Sequence, residues 1–146
     1  MILGSCGLIL LFRFVNPPCT PLMLYCYFKG DGLHYSWKPL KKISPLLQQA
    51  VLVAEDQRFS AHAGFDFNQI EDSVQKYTKT GRLRGASTIT MQTARNLFLW
   101  QGRSWSRKML ESYFTVLIEL LWSKARIMEV YLNIIEWGTG IFGAEA

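Results

Sequence analysis

Glu55-Asp56-Gln57-Arg58-Phe59-Ser60-Ala61-His62-Ala63-Gly64-Phe65-Asp66 is the stretch on which the reading of this chain turns. Two adjacent carboxylates close an apolar run, residues 50–54, and a loop carrying Phe59, His62 and Gly64 follows. A carboxylate at the edge of an apolar segment loses hydration, which moves its pKa toward the range useful for taking or giving a proton. The plainer alternative is a helix C-terminus whose acids are simply solvated.

Upstream, Ser44-Pro45 supplies an N-cap and a proline at the first helical position. Leu46, Leu47, Ala50, Val51 and Ala54 then recur at helical spacing, so Glu55 is expected near the end of a buried helix. Downstream, Asp66 is a candidate N-cap for a helix with the apolar stripe Ile70, Val74 and Tyr77, ending by Gly81.

Between Ser73 and Leu110 there is no acidic residue, yet Lys76, Lys79, Arg82, Arg84, Arg95, Arg103, Arg107 and Lys108 all fall there. Such a run is either a solvated basic face or an anion-binding groove. Within it, Gly85-Ala86-Ser87-Thr88 reads as a loop entering a helix, whose first N–H groups favour anions. Thr88, Gln92 and Arg95 fall at i, i+4 and i+7 and are expected on one face, suited to a sugar and a phosphate together. Leu97 to Trp100 is core or lipid interface.

Ser104 or Ser106 caps a long helix reaching about Trp122. Met109, Leu110, Tyr113, Phe114, Val116, Leu117 and Ile118 make it apolar nearly all round, so it is expected to be the central buried helix. Near its start, Glu111 neighbours Arg107 and Lys108, either as a helix salt bridge or as a device for binding a diphosphate. Ser123 caps a last helix, with Ile127, Val130, Tyr131 and Ile134 turned inward. The chain stops at Ala146 without a helix stop and reads as cut short.

Residues 1–15 are almost wholly apolar and show no polar face, so they read as a shortened membrane anchor, the alternative being a helix docked on the domain. The prolines at 17, 18 and 21 make residues 16–43 a membrane-proximal connector. The chain has 146 residues, room for one domain, and 49% of them are hydrophobic. Its net charge of +5 suits an anionic partner. Nucleic acid is disfavoured, because no base-reading module is recognisable. Cys6, Cys19 and Cys26 lack metal-site spacing with His34 or His62, and no Cys19–Cys26 disulfide is expected.

Four motifs stand in order: Glu-Asp-x-x-Phe-x-x-His-x-Gly at 55–64, Gly-Ala-Ser-Thr-x-Thr-x-Gln at 85–92, Arg-Lys-x-x-Glu at 107–111, and Lys-x-x-Ile-x-Glu-x-Tyr-Leu-Asn at 124–133. Together they resemble the peptidoglycan glycosyltransferase family, the lysozyme-like transglycosylases found alone or fused to penicillin-binding proteins. Residues 84–100 and 102–108, with Asn16-Pro17-Pro18, are most similar to its monofunctional Gram-negative members. Many members carry Gln-Gln where this chain has Met91-Gln92.

The resemblance implies a mainly α, lysozyme-like domain over residues 44–146, C-terminally truncated, behind the anchor and connector. It implies a bacterial inner-membrane protein with its domain in the periplasm, polymerising lipid II and releasing undecaprenyl diphosphate. Glu55 would be the general base and Glu111 the second catalytic carboxylate, on the diphosphate side, acting through Mg or Mn or through Lys108 and Arg107. No organic cofactor is implied. Asp56, Thr88, Gln92, Arg95, Asn96, Arg107, Lys108 and Lys124 would contact or orient substrate. Phe59, His62, Gly64, Glu129, Tyr131 and Asn133 would shape the structure. Lipid II, its undecaprenyl-linked glycan, the inner membrane and the cell-wall or division machinery would be the partners. The rival readings are a glycan-cleaving enzyme of lysozyme-like fold and an inactive fragment that only binds lipid or glycan.

Overall fold

Polar caps set where most of the helices begin. The computed structural model describes residues 2–81 and 85–144. In chain order, α1 spans Ile2–Phe14, α2 Pro21–Lys29, β1 His34–Tyr35, α3 Pro45–Glu55, α4 Phe67–Thr80 and α5 Ile89–Phe98. Then come α6 Trp105–Leu121, α7 Lys124–Ile134, β2 Glu136–Gly138 and β3 Ile141–Phe142. Thr20, Asp66, Thr88, Ser104 and Ser123 each accept the N–H three residues on, closing the starts of α2, α4, α5, α6 and α7. Each such cap contributes about 1 kcal/mol. Ser44 stands at the start of α3 as expected but makes no side-chain cap, so Pro45 alone marks that end.

The chain is mainly helical, and its centre is α5. Seven of its ten residues are buried, and it packs against both α6 and α7. This corrects the expectation that α6 is the central helix. On α6 the buried residues are Arg107, Glu111, Thr115 and Ile118, while Met109, Val116 and Leu120 face out. Three buried threonine and asparagine side chains let α5 sit at the centre despite its modest apolar content, because their polar groups bond internally. Thr93, for example, donates to the Ile89 carbonyl. Around α5 the core gathers Ile89, Leu97, Ile118, Trp122, Ile127, Val130 and Ile134. On α7 the residues expected to turn inward all do so.

The stripe expected on α4 is also corrected. Ile70, Val74 and Tyr77 are exposed, and Ser73 alone in that helix is buried.

The anchor expected over residues 1–15 finds no support among the described residues. No described helix is long and apolar enough to cross a membrane. A helix of the 13 residues in α1 reaches about 20 Å, against an apolar bilayer core of about 30 Å. Instead α1 docks on the domain. Trp122 donates its indole N–H to the Ile9 carbonyl at 2.8 Å, and Ser5 meets the Tyr113 hydroxyl at 2.8 Å. Arg126 closes the far end, donating to the carbonyls of Phe12 and Val15.

The connector is folded too. Met23 and Cys26 on α2 are buried, and β1 pairs in parallel with β3, His34 opposite Ile141. With β2 antiparallel on its other side, β3 is the middle strand of a small sheet that sequence periodicity did not announce. Asn133 holds the segment from α7: its Oδ1 accepts from Lys38 N, and its Nδ2 donates to Lys38 O, both at 2.8 Å. Glu129 accepts from Leu40 N at 2.8 Å. Cys6, Cys19 and Cys26 are free thiols.

Candidate functional site

Glu55 occupies the last position of α3, and its carboxylate is exposed. It therefore keeps its contact with water, contrary to the expectation of a desolvated acid on a buried helix; of α3 only Val51 is buried. The carboxylate is nevertheless held. Gln92 Nε2 on α5 donates to Glu55 Oε2 at 2.7 Å. Gln92 Oε1 in turn faces the Tyr131 hydroxyl of α7 at 3.4 Å. Burial first, and then the charge of Glu55, push the Tyr131 phenol well above its ordinary range, so it remains a donor. Three helices thus converge on one carboxylate.

Asp56, one residue on, turns inward and is 1% exposed. It accepts from Ile89 N at 3.1 Å, at the positive N-terminus of α5, and from His62 Nε2 at 2.9 Å. Asp56, expected to contact or orient substrate, is here a fastening between loop and helix. Thr88 is corrected likewise. It is the buried cap of α5, and its hydroxyl donates to the Gly64 carbonyl at 2.6 Å, so it does not share an open face with Gln92 and Arg95. Asn96 is buried and accepts from Arg95 Nε at 3.3 Å, which leaves Gln92 and Arg95 as the more accessible pair.

The loop after Glu55 is fixed from below. Lys124 Nζ donates to the His62 carbonyl at 2.7 Å and to Glu119 Oε1 at 2.8 Å, and lies 4.4 Å from the centre of the Phe59 ring. Its ammonium, expected as a phosphate contact, is partly exposed and bonded within the fold. Gly64 (φ +85°) presses so close to α6 that a Cβ there would meet Thr115 Cγ2 at 2.7 Å. Arg58 grips Asp66 through Nε and Nη2, one donor to each carboxylate oxygen, and holds that carboxyl below its ordinary range.

The second carboxylate is on α6. Glu111 is 1% exposed, and its two oxygens are taken by Arg107 Nη1 at 3.0 Å and by Lys108 Nζ. With no oxygen left over and two cations beside it, this group does not fit the Mg or Mn expected there. The surplus is positive. Arg107 and Lys108, with Arg103 and Trp105, line a cavity of about 290 Å³, and the Arg107 Nε–H is buried without a partner. No hydrogen bond among the described residues links this cluster to that of Glu55. Arg82 and Arg84 lie outside the described residues.

Ligand atoms of Asp56, His62 and Asp66, and of Cys26, Asp31 and Glu136, come within 4.8 Å of one another. In the first group Asp66 is already paired with Arg58. In the second, Asp31 is paired with Lys29 and Glu136 accepts from Gly140 N. Sequence reasoning missed Glu119, which ties Lys124 and Thr90 together. Its five-residue separation from Lys124 spans a helix break, so no spacing rule flags it. It also missed Arg126 as the fastener of α1.

Comparison with known proteins places this geometry. The chain is 49% identical over 146 residues to a biosynthetic peptidoglycan transglycosylase of Caulobacter vibrioides, covering 100% of this chain and 64% of that one. A protein of the same name from Bdellovibrio bacteriovorus is 55% identical over 150 residues, covering 98% of this chain and 60% of the other. One from Pseudomonas putida is 51% identical over 149 residues, covering 98% and 63%. The chain thus spans about six tenths of the length of the curated relatives it matches. The transglycosylase family model matches residues 26–146, taking in the whole Glu55 loop, the Arg107–Glu111 cluster and α7. By that match, the chain belongs to the transglycosylase family.

Proposed function

We propose that this chain carries the chemistry of a peptidoglycan glycosyltransferase, polymerising lipid II into β-1,4-linked glycan for cell-wall biogenesis. The observation that carries the reading is Glu55, a solvent-reachable carboxylate aimed by Gln92 from the central helix. Glu55 takes the proton of the acceptor's 4-hydroxyl. The freed oxygen attacks the anomeric carbon of the growing chain from the face opposite the leaving group. The bond to undecaprenyl diphosphate breaks, and the configuration inverts. Base catalysis of this kind contributes about 100- to 10,000-fold.

The departing diphosphate suits the cavity at Arg107 and Lys108, where Glu111 fixes two cations without cancelling both charges. Glu111 acts there as the holder of those cations. Arg95, on the same helix as Gln92, offers a further cation for the charged linkage.

We place the protein at the periplasmic face of a bacterial inner membrane, among the cell-wall or division machinery. Exposed Phe14 and Phe28 on α1 and α2, with a net charge of +5, support contact with an anionic lipid surface.

The test is polymerisation of lipid II in detergent, with products resolved on a gel, by wild type and by Glu55→Gln. Polymer from wild type alone supports the reading. Cleavage of preformed glycan by wild type, in place of synthesis, would replace it with the glycan-cleaving reading.

A further inference from the structure

A cavity of about 300 Å³ opens between the end of α3 and the flank of α4. Glu55 forms part of one wall, and Gln69, Asp72, Ser73 and Lys76 form the other. These four positions share one face of α4, being three and four residues apart. Ser73 is 5% exposed, and its hydroxyl has no hydrogen-bond partner. Gln69 Oε1, one turn earlier, is buried and equally without a partner. A helical serine commonly bonds the carbonyl four residues back, and here it does not. Leaving a buried polar group unsatisfied costs stability. Two such groups in one wall point to a partner that comes from outside the chain.

The wall defines that partner's chemistry. Gln69 Oε1 and the carboxylates of Asp72 and Glu55 are acceptors, and the Ser73 hydroxyl accepts as readily as it donates. Arg58, also on the wall, spends its guanidinium on Asp66. Lys76 is the remaining cation, against Glu55, Asp56 and Asp72. This pocket repels phosphate, in contrast to the one lined by Arg107 and Lys108. It calls for a group rich in donors and carrying positive charge.

We propose that the cavity seats a primary ammonium group of the acceptor, with Asp72 as its counter-charge and Gln69 Oε1 and Ser73 Oγ as its acceptors. The inference rests on the glycosyltransferase reading. It adds that the enzyme senses an amine on the same molecule whose hydroxyl meets Glu55. An amine on the acceptor's peptide and one on its sugar present the same chemistry, so both are tested.

Three probes are titrated into the full chain in detergent by calorimetry. The first is lipid II with a free amine on its peptide. The second has that amine acetylated. The third is acetylated on the peptide but has lost one sugar N-acetyl group. Either amine-bearing probe should bind about tenfold tighter than the fully acetylated one, the size of one charge-assisted hydrogen bond. The probe that does so identifies the source of the ammonium. Asp72→Asn and Ser73→Ala should each shrink the preference; Asp72 is exposed, so its variant folds. Equal affinity for all three probes overturns the inference alone, as does a preference that survives both substitutions. Failure of every probe to bind overturns the glycosyltransferase reading and the inference with it.

Discussion

Gln92 on the central helix donates its side-chain amide to Glu55 at the end of α3, across 2.7 Å. Its carbonyl faces the buried Tyr131 hydroxyl, so the same amide aims the carboxylate and is itself steadied. An exposed acid would otherwise sample several rotamers, and only some of them reach an acceptor hydroxyl.

Gln92→Leu keeps much of the volume and removes both contacts. Polymerisation by this variant should fall at least tenfold. Stability should drop by about 1 kcal/mol, the net worth of a hydrogen bond. Rate measurement beside thermal melts separates the two effects, and an unchanged rate would remove Gln92 from the positioning role.

Asp56→Ala leaves Glu55 in place but strands Ile89 N and His62 Nε2. The expected cost is about 1–3 kcal/mol for each stranded group. Urea titration checks this. A loss below about 0.5 kcal/mol, the ordinary size for a surface substitution, would show that loop and α5 are not fastened through Asp56.

Gly64→Ala puts a Cβ 2.7 Å from Thr115 Cγ2 on a backbone of positive φ. We expect a loss of about 1–3 kcal/mol from strain and overpacking combined. Thr115→Ser removes the struck methyl and should recover the packing share in a double-mutant cycle, leaving the conformational share. Strict additivity of the two changes would contradict the contact.

The Arg58–Asp66 pair sets a pH dependence of definite sign. Its bond to Arg58 lowers the Asp66 pKa in the folded chain below the ordinary 3.8. The unfolded state therefore binds the proton first as pH falls. The stabilisation is whole above about pH 5, begins to fade as the unfolded group titrates and is gone once pH passes below the lowered folded value. Arg58→Gln should be less stable than wild type at neutral pH, and the gap should close in acid. A gap constant from pH 7 to pH 2 would deny the linkage.

Helix ends and the Glu55 loop were legible because they depend on local chemistry. Asp66, Ser104 and Ser123 cap where a short polar residue precedes a periodic run. The ranking of helices was not legible. An apolar count favours α6, yet burial follows neighbours, and α5 has helices on both sides while Met109 and Leu120 of α6 have solvent. The direction of Thr88 was misread for a related reason. Helical spacing describes residues inside a helix, and Thr88 is the cap, whose backbone is extended. The strands contain two or three residues, too few for alternation to register. The pairing of residues 34–35 with 141–142 is long-range and leaves no local trace.

Lys124 has a broader consequence. Its ammonium joins the loop that follows Glu55 to the first turn of α7 and, through Glu119, to the end of α6. Loosening that loop takes away part of what closes α7, and fraying α7 frees the loop. The two should behave as one cooperative opening unit, exchanging their amide hydrogens with a common free energy. A ligand seated at Glu55 would then slow exchange along α7, a helix that reaches toward that carboxylate from Tyr131 through Gln92. Occupancy at one carboxylate would be heard along a whole neighbouring helix.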